Sequence, residues 1–261
     1  MKTLRRLLAA IFVAVATDAT APATAAETVI PLPAASTRLA IRAARMIDGR
    51  SDQVERDAVV VVEGERIVAV GGTELLTPGL DTLDLGDATL MPGLIDAHSH
   101  PLITVDDYQT DHLKHSSAYK ALRGLKAVQD NLRAGWTTLR IAGDADVAYA
   151  VTDLRKAIDG GLFLGPRLTG AAHYLSTTGG GGDINFLAPE VHVAADGRIA
   201  DGVDEVRKAV REEIKYGSDW VKLLVTGAFM SAGDRPQDVH FSPEELRVAV
   251  DEAKRHGVPV M

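Results

Sequence analysis

The chain has 261 residues, 46% hydrophobic and 25% charged, with a formal net charge of −8, a globular composition with apolar material enough for a large core. An acidic chain with no basic run is a poor candidate for binding nucleic acid or anionic lipid. There is no cysteine, which excludes disulfides and thiolate metal sites and leaves His, carboxylate or a less usual oxygen donor for any transition metal.

The first residues read as a targeting segment. Lys2, Arg5 and Arg6 form a positive n-region, residues 7–16 are an apolar run, and Ala23-Thr24-Ala25 or Thr24-Ala25-Ala26 fits a signal peptidase site. The run is too short to span a bilayer, which needs about 20 residues. The expectation is therefore a signal peptide over residues 1–26, a periplasmic or secreted protein, and no stable membrane association after cleavage; an uncleaved anchor is the alternative. Cleavage would remove three cations and one anion, moving the net charge from −8 to −10. Residues 27–38 read as an extended linker. From residue 39 to 90, LAIRAARMID, AVVVVEGERIVAVG and TLDLGDATLM are short, β-rich runs broken by Gly and Asp. Glu63-Gly64-Glu65 suits a tight hairpin, and strands this closely spaced predict a small sandwich-like sheet domain.

The pattern changes at residue 91. MPGLIDAHSH reads as an apolar strand, and residues 116–134 carry helical periodicity (Tyr119, Leu122, Leu125, Val128, Leu132) closed by Gly135. Residues 136–141 form a second strand, 146–159 a second helix, 167–172 a third strand and 203–216 a third helix ending at Gly217. DWVKLLV at 219–225 is a fourth strand. Ser242-Pro243-Glu244-Glu245 combines an N-cap, Pro at the first helical position and a capping-box Glu, opening a fourth helix. Residues 258–261 begin a fifth strand. Alternating strands and helices imply a parallel sheet with crossover helices. Four βα units and the start of a fifth are too few to close an eight-stranded barrel, so the sequence reads as a cut chain, expected to be inactive by itself.

Two places carry chemistry. In His98-Ser99-His100 the imidazoles are two residues apart on a strand and project to one face, with Asp96 on that same face. They sit at the C-terminal end of the strand, where neutral imidazoles suit zinc and its neighbours. Histidines with a purely structural role are the competing reading. The second place is Lys222. Trp220, Lys222 and Leu224 share one face and Val221, Leu223 and Val225 the other, so a buried ammonium here would be costly. Such a lysine either snorkels or pairs with a carboxylate, or it has a lowered pKa and its free amine adds carbon dioxide, giving a carbamate that can bridge two metals.

The run from Ala40 through Asp48-Gly49, GERIVAVG and GLIDAHSHP resembles the amidohydrolase superfamily. AGWTTLRIAGD, GLFLGPRL, the stretch ending in DWVKLLVTG, and FSPEELRVAVDEAKRHGVPV are similar to its prolidase-like and imidazolonepropionase-like branch. The resemblance covers essentially everything after residue 38. It implies an α/β fold in which a small β-sandwich (39–90) precedes the N-terminal part of a (β/α)8 TIM-like barrel (91–261). It also implies that His98 and His100 bind one metal and that a carboxylated Lys222 bridges a pair, with two Zn2+ in the intact site and other divalent metals as alternatives. Further ligands are expected from strands five, six and eight, and no catalytic residue beyond the metal ligands is expected in this chain. The implied activity is hydrolysis of amide or dipeptide C–N bonds, of Xaa-Pro or N-acyl amino acid type, by metal-activated hydroxide on a small-molecule substrate. A mononuclear imidazolonepropionase-like enzyme and an inactive truncated product are the alternatives, and the oligomeric state is open.

The other candidates read more plainly. His173, after strand three, is a candidate substrate contact, as is Asp96. His112 and His115 read as surface residues, with lining of the site mouth as the alternative, and His192, His240 and His256 as loop or helix-end residues. Thr178-Gly179-Gly180-Gly181-Gly182-Asp183 reads as a mobile loop, at a place where relatives commonly have a histidine instead of Gly181.

Overall fold

A computed structural model describes residues 13–14 and 38–261. The signal-peptide and linker expectations for residues 1–38 thus fall almost wholly outside the described residues. The chain divides into one unit of residues 1–94 with 133–137, and a second of residues 95–132 with 138–261.

In the first unit, β1 (Val13–Ala14), β2 (Arg38–Met46), β3 (Glu55–Glu63), β4 (Arg66–Gly71), β5 (Asp81–Asp84) and β6 (Thr89–Leu90) form one six-stranded sheet. Its middle is antiparallel, β2 against β3 and β3 against β4, while β5 and β6 run parallel to β2. The valine run of β3 is continuous because both of its faces are covered. Val60 and Val62 pack with Ile41, Ala43, Met46 and Leu90; Val59 and Val61 pack with Ala40 on the opposite side, against Leu75, Leu76 and Leu80. The predicted hairpin forms with Glu63 paired to Arg66, and Gly64, at φ +56°, supplies the left-handed backbone that a two-residue turn needs. The expected sandwich is thus a single mixed sheet among the described residues.

The second unit alternates strands and helices: β7 (Leu94–Ser99), α1 (Tyr108–Lys114), α2 (Ser117–Arg133), β8 (Trp136–Ala142), α3 (Ala150–Asp159), β9 (Arg167–Ala171), β10 (Tyr174–Ser176), β11 (Arg198–Ile199), α4 (Gly202–Tyr216), β12 (Lys222–Leu223) and α5 (Pro243–Arg255). Strands β7, β8 and β9 make one ladder and β11, β10 and β12 another. The β8–β9 and β10–β12 pairs are parallel, as the crossover pattern predicts. The chain's last residues add to β12: the Val221 N–H donates to the Pro259 carbonyl at 2.9 Å and the Met261 N–H to the Val221 carbonyl at 2.8 Å. Leu175, Val221 and Leu223 bury one sheet face under Val206, Ala209 and Val210 of α4 and Ala249 and Ala253 of α5. Trp220, Lys222 and Leu224, on the opposite face, stay half-buried.

Several expectations are corrected. The fourth strand shrinks from 219–225 to Lys222–Leu223, and the Lys222 face is half-buried rather than buried. Helix α3 begins at Ala150, not 146, because Asp146 is drawn inward. Its Oδ1 pairs with Lys120 Nζ at 2.9 Å, and its Oδ2 accepts from the Ser117 hydroxyl at 2.6 Å and the Ala150 N–H at 3.1 Å. Helix α1 was not foreseen, since its apolar face is built largely from amphipathic side chains: Tyr108, Gln109 and His112 are buried. His112 is therefore not a surface residue; it lies 3.1 Å from Lys120 Nζ. The glycine run, expected as a mobile loop, is largely packed against its neighbours. Gly180, Gly181 and Gly182 are buried, the Gly182 N–H donates to Ser176 Oγ at 3.1 Å, and the Gly181 carbonyl accepts from Ser231 Oγ at 2.6 Å.

The start of α5 is as the sequence predicts. Ser242 Oγ accepts from the Glu245 N–H at 3.3 Å, and a Glu245 carboxylate oxygen accepts from the Ser242 N–H at 2.7 Å. Because this satisfies two otherwise orphaned donors, Ser242→Ala is expected to cost about 1 kcal/mol. A urea titration should show a lower midpoint with an unchanged slope.

Candidate metal centre

His98 ends up near the tip of β7 and His100 one residue beyond it, and the strand period brings their rings to 5.0 Å between centroids at an interplanar angle of 61°. His98 is exposed and His100 half-buried. Asp96 sits on the same face, and its Oδ1 accepts from the His98 backbone N–H at 3.0 Å, bracing the backbone that presents the first imidazole.

His100 Nδ1 lies 2.6 Å from the Gly143 carbonyl oxygen. A carbonyl only accepts, so Nδ1 carries the proton and, in the neutral ring, Nε2 keeps its lone pair. Ligating histidines are oriented in this way by an outer partner. Burial is the main reason the His100 imidazole titrates below the ordinary histidine range; the charges of His98 and Lys222 act in the same direction, while the Gly143 bond and Asp96 oppose them. The neutral, ligand-competent form is therefore favoured. Gly143 can offer its carbonyl because it sits at φ +81°; a Cβ there would come within 2.4 Å of the Tyr174 nitrogen. The next residue, Asp144, accepts from the Leu102 N–H at 3.0 Å, fixing the segment that leaves His100 to the one that leaves β8.

Lys222 is close enough for its charge to act on His100. Burial, and then the positive charge of Arg140, hold the Lys222 ammonium below the ordinary lysine range. The charge that bears on it is thus a like one rather than the carboxylate partner considered from the sequence. Arg140, on β8, donates through Nε to the Ala97 carbonyl at 2.8 Å, and its guanidinium carbon lies 5.0 Å from the centre of the Trp220 ring. Arg140 and Gly143 were both missed in the sequence. Arg140 was visible by the argument used for Lys222, a cation in an otherwise apolar strand, whereas the role of Gly143 lies in its backbone.

His173 does not join this group. It is buried, its Nδ1 lies 2.7 Å from Glu213 Oε1 and its N–H donates to Glu213 Oε2 at 3.2 Å. Ser218 Oγ donates to the same carboxylate at 2.6 Å, and Tyr149 packs its ring edge-on at 4.7 Å. Burial works against the Glu213 carboxylate, yet the bonds from His173 and Ser218 outweigh it and hold it below its usual range. The expected substrate contact is therefore a buried clasp tying the β9–β10 strand path to α4. His115 stacks on Tyr119 at 4.4 Å and His240 pairs with Asp234 at 2.8 Å, so neither is recruited. Among the described residues no three His, Cys, Asp or Glu side chains converge on one point; two imidazoles lie side by side, and the charge of Lys222 reaches the second of them. A pair of imidazoles is a partial ligand set for a divalent metal.

The amidohydrolase family profile matches residues 89–261. Ochratoxinase from Aspergillus niger is 34% identical over 239 residues, which is 83% of this chain and 48% of that protein. A crystal structure of a Xaa-Pro dipeptidase with bound methionine in the active site matches with a TM-score of 0.78 at 31% identity, covering 86% of this chain and 56% of that one. Imidazolonepropionase from Arthrobacter sp. is 36% identical over 61 residues, 23% of this chain and 15% of that protein. The chain spans about half the length of the two broader matches.

The His100 geometry has a direct test in nitrogen-15 NMR. The ring should show the Nδ1–H tautomer and titrate below the ordinary histidine range, near 6.5. In Gly143→Ala, where the carbonyl must move, the tautomer preference should be lost. An Nε2–H tautomer in the unsubstituted protein would contradict the assignment of the free nitrogen.

Proposed function

The chain belongs to the amidohydrolase family, and on that premise we propose that it supplies the first half of a (β/α)8 barrel and part of a two-metal site in a hydrolase of small amide substrates. The observation that carries the reading is the His98–His100 pair, with Nδ1 of the second ring held by Gly143 so that Nε2 keeps its lone pair, on a site whose third member is Lys222. The parallel pairing of β8 with β9 and of β10 with β12, each joined through a helix, supports the barrel.

The donor set fits zinc, with manganese or cobalt as alternatives, and two ions per complete site. A divalent metal held there supplies Lewis acidity toward a scissile carbonyl and toward water. The chain's own residues prepare for it. The Gly143 carbonyl fixes the His100 tautomer, and Asp96 braces the backbone at His98. The free amine of Lys222 adds carbon dioxide, forming an N–C bond and releasing one proton, so that a lysine becomes an anionic oxygen donor. The named activities of ochratoxinase and the Xaa-Pro dipeptidase support dipeptides or N-acyl amino acids as the substrate class. The shorter likeness to imidazolonepropionase supports a one-metal enzyme for cyclic amides as the second reading, which would need no bridging carbamate. Export is proposed on the composition of residues 1–26.

Lys222→Ala, in the protein as expressed from its gene, should abolish turnover of dipeptide and N-acyl amino acid substrates and halve the bound zinc, with partial rescue by short carboxylic acids. Unchanged turnover would remove Lys222 from the mechanism, and one zinc per unsubstituted chain would favour the second reading. For export, sequencing of the mature protein should find an N-terminus at Ala26 or Glu27; a retained Met1 in the extracytoplasmic fraction would refute cleavage.

A further inference from the structure

The two strands that carry the metal-centre residues do not touch through their backbones. Strand β7, with His98 and His100, belongs to the ladder β7-β8-β9, and β12, with Lys222, to the ladder β11-β10-β12. Ladder to ladder, the backbones meet at Gly170 of β9, whose carbonyl accepts from the Asp219 and Trp220 N–H groups at 3.1 and 3.3 Å. Strands β8 and β9 thus stand between the two strands that carry the site.

Arg140 bridges that gap with one side chain. Its Nε donates to the carbonyl of Ala97, the residue immediately before His98, at 2.8 Å. Its guanidinium covers the ring of Trp220, two residues before Lys222, with 5.0 Å from Cζ to the ring centre. That is within the range of a cation–π contact. The planar fork can hydrogen-bond in its own plane while its flat face stacks on the indole, which an ammonium cannot reproduce. We propose that Arg140 is a positioning residue that sets the distance between the His98–His100 pair and Lys222 by clamping Ala97 and Trp220 to one guanidinium. This rests on the reading of those three residues as metal ligands; it adds the group that holds them in register.

The test is a double-substitution cycle read by zinc affinity in the protein as expressed from its gene, using Arg140→Lys, Trp220→Leu and the pair. Lysine keeps the charge and loses the fork, and Trp220→Leu removes the stacking surface while leaving the Ala97 bond available. Arg140→Lys should weaken zinc binding about 10- to 100-fold, the effect typical of losing a group that orients metal ligands, and lower kcat with KM little changed. The double variant should be no weaker than the worse single one, because both substitutions open the same clamp. Trp220 fluorescence should shift in Arg140→Lys, showing that the ring has lost its cover. Zinc affinity in Arg140→Lys equal to the unsubstituted protein would overturn the proposal, as would strictly additive losses in the double variant. If Trp220→Leu fails to fold, the Arg140→Lys affinity and the kcat–KM split decide by themselves. Failure of the metal-ligand reading is seen separately, as unchanged zinc content in Lys222→Ala.

Discussion

The hydrogen bond between His100 and the Gly143 carbonyl decides which edge of an imidazole is left to do chemistry. Because the acceptor has no proton to give, the ring has no choice of tautomer, and its second nitrogen is left with a lone pair. The bond exists only because residue 143 can adopt a left-handed backbone and lie within a Cβ's reach of Tyr174. A second strand end thereby sets the state of a side chain on the first. The same logic recurs at Asp144, which holds Leu102, and at Asp146, which holds Lys120 and the start of α3.

Those carboxylates form a second layer under the strand ends. Lys120 is 1% exposed, and its ammonium is met by Asp146, the Ala145 carbonyl and His112. Gln109 of α1 bridges the Asp183 carbonyl and the Asp196 carboxylate at 2.9 and 3.0 Å. A buried ionic group is tolerable only when nearly all its hydrogen-bonding capacity is used, so these contacts specify where the connections after β7, β8 and β10 must run. The apolar packing of α4 and α5 against Leu175, Val221 and Leu223 supplies cohesion. Cohesion and placement are thus divided between apolar helix packing and polar contacts in the connections.

This division explains what could be read from the sequence. Periodic apolar positions gave α2, a closing glycine bounded α4 and a capping box opened α5, each to within a residue or so at each end, because these signals are local. The His98-Ser99-His100 spacing gave a same-face pair, because strand geometry leaves no alternative. What stayed hidden depends on polar side chains turned inward. Helix α1 has little apolar signal, the start of α3 is displaced by Asp146, and His173 looked available until Glu213 claimed it. Lys222 was singled out as a cation in an apolar strand, yet the stretch of regular strand around it is shorter than its composition implied. Arg140 shares the same signature and was passed over. The fit of the sheet domain was also incompletely legible, since a both-sided valine run is equally compatible with one covered sheet or two packed ones.

The close packing around Gly181 has a consequence for anyone wishing to redraw this site. A side chain at position 181 would start with its Cβ 2.5 Å from the Ala228 Cβ and 3.3 Å from Leu224 Cδ1. Both contacts belong to the segment that follows Lys222. The histidine that the family resemblance leads one to expect at this position could not be grafted by editing one codon, because the connection carrying Ala228 would have to be rerouted with it. Positions 181 and 228 are therefore sterically coupled: a side chain at 181 requires the Ala228 segment to shift.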